Sequence, residues 1–137
     1  MNKVRIVLGG LVAGVIINAI ETVVHRFLFR SHQELGREPL AMSGAILIWI
    51  VGLVFGIMLA WLYAAIRPRY GAGPKTAILA GFYLWIVAGL LVWIGFSPLL
   101  QWGMRLMIIG IVTNLVAYIV AALVAGYLYK KEEVAAA

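Results

Sequence analysis

Four uninterrupted apolar runs decide what this chain can become. They cover roughly Ile6–Phe29, Met42–Ile66, Thr76–Phe96 and Leu106–Tyr129. Each meets the requirement of roughly 20 residues for a helix crossing a ~30 Å hydrocarbon core. Barrel strands would alternate polar and apolar positions, whereas these runs are continuous, so helices are expected. With 65% of its residues hydrophobic and 12% charged, the chain lacks the polar inventory to cover a water-facing globule. The expected architecture is all-α, an antiparallel bundle of four transmembrane helices forming a single domain over residues 1–137.

Lys3 and Arg5 before an apolar stretch imitate a secretory signal. The stretch is too long, however, and no small-x-small site closes it before Asn18 and Glu21, which predicts a retained first span. The absence of cysteine excludes disulfides, thiolate metal ligands and thioether lipidation within these residues. The net charge of +6 does not argue for nucleic acid, because the basic residues mark span ends. With the N-terminus inside, Lys3, Arg5, Arg67, Arg69, Lys75, Lys130 and Lys131 fall on one side, and Arg26, Arg30, Arg37 and Arg105 on the other. That excess predicts cytoplasmic termini.

The connectors are short. Arg30 to Pro39 forms the longest polar stretch, too short for a domain. Arg67-Pro68 is expected to stop the second span at Ile66, and Pro74 to start the third. The third span should end at Gly95, before Ser97-Pro98, with the apolar connector beyond it lying at the interface and Trp102 at headgroup depth. Trp93 would join that outer belt, and Trp61, Tyr63, Tyr127 and Tyr129 would form the inner one. Trp49 and Trp85 fall inside their spans, as packing or lipid-facing residues.

The segments LGGLVAGVIINAIE and WLYAAIRPRYGAGPKTA resemble a group of small, four-span bacterial membrane proteins without an assigned activity. The resemblance covers the whole chain. It implies the four-span topology and a bacterial inner membrane, and it carries over no activity and no site residues.

One face of the first span stands out. Gly10, Gly14, Asn18, Glu21 and His25 recur at helical spacing and therefore stack on one side. By rise per residue, Glu21 sits roughly 8 Å and Asn18 roughly 12 Å below the outer end of the span. A carboxylate at that depth should face protein or water rather than lipid. The antiparallel fourth span offers Gly110, Asn114, Ala117, Ala121 and Ala125. This predicts that the first and fourth spans pack together, with Gly110 at the depth of Glu21 and Asn114 at that of Asn18. The paired Gly14/Asn18 and Gly110/Asn114 also hint at a duplicated helix pair.

Three chemistries compete for this face. As structure, Gly10/Gly14 and Gly52/Gly56 let helices approach closely, the asparagines act as interhelical glue, and Glu21 pairs with His25 or Arg105. As function, Glu21 would carry a proton or cation, relayed or coordinated by Asn18 and His25. A tetrapyrrole would need His25 or His32 with a methionine such as Met42 or Met104. No nucleophile–base pair or phosphate loop is present, and His32, Glu34 and Glu38 read as solvated loop charges rather than a metal site.

The reading that follows is a non-catalytic, cofactor-free membrane protein, an accessory or scaffold subunit working with other membrane subunits or with copies of itself. Glycines on the second and third spans (Gly44, Gly52, Gly56; Gly81, Gly89) exceed what one bundle needs and favour further association. A small proton- or cation-coupled transporter centred on Glu21 is the alternative, and a haem-binding protein using His25 the third.

Overall fold

Helices are the economical answer for a chain that must satisfy every backbone amide inside lipid. The structure, a computed structural model, describes residues 2–33, 41–100 and 103–135. They form α1 (Lys3–Gln33), α2 (Met42–Tyr70), α3 (Pro74–Leu84), a π-helical turn (Trp85–Leu90), α4 (Leu91–Leu100) and α5 (Met104–Ala135). The third span is α3, the π turn and α4 in sequence. Four stretches are long and apolar enough to cross a membrane: Lys3–Phe27, Met42–Tyr70, Pro74–Pro98 and Met104–Tyr129. The protein is a multi-pass, all-α, four-span bundle. Trp102 and most of the polar stretch from Arg30 to Pro39, with Glu34 and Glu38, lie outside the described residues, as does the side chain of His32.

Two expected stops do not stop the chain. α2 runs through Pro68 to Tyr70 and ends at Gly71, whose φ of 83° suits glycine and whose N–H donates to Arg67 O at 2.8 Å. A proline one turn from a helix end removes only one interior hydrogen bond. The third span likewise passes Gly95, Ser97 and Pro98. Here the missing donor is replaced: Ser97 Oγ donates to Ile94 O at 2.8 Å, the carbonyl that the amide of residue 98 would otherwise have bonded. Pro74 does start α3 as expected, and Thr76 ties the tight turn before it by donating to Gly71 O at 2.7 Å.

Small residues set how the helices cross. Gly10 and Gly14 of α1 meet Gly52 and Gly56 of α2 face to face. A Cβ on Gly56 would strike the Gly10 carbonyl and the Gly14 amide, and one on Gly14 would lie 2.6 Å from Leu53 Cα. Backbone therefore meets backbone, the arrangement that small-x-x-x-small spacing permits. α5 packs against α1, where a Cβ added to Gly9 would lie 3.8 Å from Ala125 O, and against α3, where one added to Gly81 would meet Tyr118 O and Ala122.

The apolar core is confined to the half of the bundle that holds both termini. Ala13, Leu59, Tyr63, Ala77, Ala80 and Ala121 are among its innermost members. Tyr63 and Tyr129 stack edge-on there, and Arg67 lies 5.4 Å over the Tyr129 ring. These two tyrosines are thus core residues rather than an interfacial belt. Trp61 and Tyr127 are exposed, as a belt requires.

The distal half is open. No residue of α1 beyond Asn18 and none of α2 before Gly52 is buried among the described residues. Residues 46–51 of α2 are exposed around the whole circumference of the helix. α2 packs on α3, but among the described residues it makes no approach to the π turn or α4. The second and third spans therefore part beyond the level of Leu84. A wedge opens between them, backed by α1 and α5.

Candidate functional site

The wedge exposes a polar cluster at membrane depth. At its centre Glu21, with 18% of its side chain exposed, accepts a hydrogen bond on Oε1 from Asn114 Nδ2 of α5. One turn along α1, His25 Nε2 lies 3.3 Å from Glu21 Oε2. Trp93 of α4 donates from Nε1 to Asn114 Oδ1 at 3.3 Å. Three spans thus contribute to one chain of polar contacts: His25, Glu21, Asn114, Trp93.

The π turn shapes the wall behind it. Trp85 Nε1 donates to Ile111 O of α5 at 2.9 Å. Gly89, in the same turn, leaves room beside Asn114: a Cβ there would lie 2.8 Å from Trp85 Cδ1 and 3.3 Å from Asn114 Oδ1. Such turns widen a helix locally and recur at functional sites. Below Asn114 by one turn of α5 stands Tyr118, only 4% exposed, its ring edge-on to Phe55 of α2. Helical side chains lean toward the helix N-terminus, which carries this phenol toward the Asn114 level.

The sequence-predicted residues are divided differently from expectation. α1 and α5 do pack together, but the Gly10–Gly14–Asn18 part of the stripe faces α2. Asn18 Nδ2 donates to Trp49 O at 2.9 Å, and Gly52 makes room for that amide. Asn18 and Asn114 therefore do not pair; the antiparallel register brings Asn114 to Glu21 instead. Gly110 lies beneath the Trp93 ring, not opposite the carboxylate. Glu21 and His25 fall within the same ~80° arc as Gly10, Gly14 and Asn18, so the neighbour changes with height along α1 and not with direction around it. Gly14/Asn18 and Gly110/Asn114 consequently do unlike jobs, and the internal-repeat idea gains nothing from them.

Gly52, Gly56, Gly81 and Gly89 are all taken up inside the bundle, so they are not spare faces for association. Sequence reasoning missed Tyr118 and misjudged Trp93. The first was findable, since Tyr118 continues the Gly110/Asn114 spacing by one more turn. The π turn leaves no comparable signature in WIVAGL. No group of three or more metal-ligating side chains occurs among the described residues. Compared with protein-family models, curated proteins and solved structures, the chain matches none of them.

Proposed function

We propose that this is a non-catalytic membrane protein that works by binding within the bilayer, as an accessory or scaffold subunit, through the open distal half of its bundle. The supporting observation is the asymmetry of packing. The half with the termini has a dense core of alanines and crossed glycines, whereas the distal half leaves α2 and α4 apart. Apolar faces left apart inside lipid gain little from water exclusion, so the open shape favours a partner that fits it by packing and hydrogen bonds. The positive-inside bias puts the termini in the cytoplasm and the wedge in the outer leaflet, and the sequence resemblance favours a bacterial inner membrane.

Proton or cation transport by Glu21 is the second reading. One observation favours it: among the described residues, His25 is the only basic side chain that pairs with the carboxylate. Against it stands the closed half, where Gly10 and Gly14 are sealed by the backbone of α2 and α1 carries no polar side chain between Arg5 and Asn18.

The decisive experiment pairs mass with flux. A gently extracted complex is expected to exceed the 15.0 kDa protomer. It should be lost when Ile50→Trp crowds the distal half and kept when Val12→Trp alters the exposed side of the closed half. In proteoliposomes the wild type should conduct neither protons nor sodium. A monomer with an ion flux that vanishes in Glu21→Gln overturns the proposal.

A further inference from the structure

We infer that the floor of the wedge is a binding site for a primary ammonium group, carried on an amphiphile that enters sideways from the outer leaflet between α2 and α4. The inference rests on the proposed binding role of the distal half and names what the Glu21 cluster itself would hold.

Acceptors outnumber donors at the floor of the wedge. A carboxylate offers about four acceptor positions, and an amide oxygen about two. Glu21 is approached by one amide donor and one imidazole nitrogen, and Asn114 Oδ1 by one indole. Asn114 keeps a second N–H, yet the acceptor positions still outnumber the donors. Tyr118 adds a hydroxyl, donor and acceptor at once: it is buried, and no described residue hydrogen-bonds to it. A buried hydroxyl without a partner is costly, and here it leans toward the cluster.

Charge points the same way. Among the described residues His25 is the one basic neighbour of Glu21, and neither lysine nor arginine pairs with the carboxylate. A carboxylate at membrane depth attracts a cation. An ammonium brings three donors to surplus acceptors. A bare metal ion would want more oxygens than Glu21, Asn114 and Tyr118 supply. The apolar circumference of α2 at residues 46–51 suits a hydrocarbon tail.

The test uses the full chain in phosphatidylcholine nanodiscs, which contain no primary amine, and follows tryptophan fluorescence. Dodecylamine should give a saturable change that Trp93→Phe removes. Dodecyltrimethylammonium has the same charge and tail but no N–H, and should bind about tenfold more weakly, as should dodecylamine to Glu21→Gln. Tyr118→Phe should weaken binding several-fold, and it keeps the test alive if Glu21→Gln does not fold. Repeating the titration with phosphatidylethanolamine separates the sources. A rightward shift identifies the lipid headgroup as a competitor, and no shift identifies a free amine; both support an ammonium site. Equal responses to the two dodecyl cations, indifference to Glu21→Gln and Tyr118→Phe, or saturation by sodium chloride alone would overturn it. If the amine fails while the complex still dissociates in Ile50→Trp, the ammonium site falls and the binding role stands.

Discussion

Asn114 donates its side-chain amide to the Glu21 carboxylate across the α1–α5 interface, joining residues 93 positions apart. This contact spans the open half of the bundle, where no apolar core holds the two helices. The polar pair should therefore contribute to their association there. A double-mutant cycle with Glu21→Ala and Asn114→Ala, read by SDS titration in mixed micelles, is expected to give a coupling of about 0.6–2 kcal/mol. Strict additivity would mean that the contact contributes nothing to stability.

The crossing of α1 over α2 makes a sharper prediction. Gly56→Ala forces a methyl into the backbone of Gly10 and Gly14, and backbone cannot rotate away as a side chain can. The helices must separate, at a cost of about 1–3 kcal/mol. Gly95→Ala is the matched control, because nothing lies within 4 Å of its added Cβ. Its effect should stay within about 0.5 kcal/mol. Equal melting temperatures for the two variants would contradict the crossing described.

These two residues also show where the sequence was legible. The number of spans, their helical form and the use of Gly10, Gly14, Gly52 and Gly56 for close approach follow from what lipid demands of a backbone. Which helix each face meets does not. Periodicity fixes the direction of a side chain about its own axis, whereas the neighbour in that direction depends on crossing angle and register. Hence Asn18 found the Trp49 carbonyl, and Asn114, placed one turn off in depth, found Glu21. The open wedge was invisible for a related reason. In lipid an exposed apolar turn and a buried one have the same composition, so residues 46–51 read like any core-facing stretch.

Thr76 tests the closed end. Its hydroxyl reaches back to Gly71 O at 2.7 Å and lies 3.3 Å from Tyr70 O, while the residue itself is buried. Thr76→Val keeps the shape and removes the donor, leaving the turn after α2 without its tie. A loss of about 1 kcal/mol is expected, with faster proteolysis at the Gly71–Gly73 turn. Unchanged protease sensitivity would show that the turn is held by α2 and α3 alone.

Ser97 and Pro98 allow the strictest test, because the prediction changes sign with the background. Pro98 has no amide to offer Ile94 O, and the Ser97 hydroxyl donates in its place at 2.8 Å. Ser97→Ala in the native background leaves that carbonyl without a donor near the end of the third span, and should cost about 1 kcal/mol. Pro98→Ala restores the backbone donor and improves helix propensity, so it should be neutral or stabilising. Ser97→Ala added to Pro98→Ala should then have almost no effect, since the carbonyl is already satisfied. The serine is thus expected to matter only while the proline is present. A full penalty for Ser97→Ala in both backgrounds would assign the hydroxyl some other role and remove the explanation for why the third span continues past its proline.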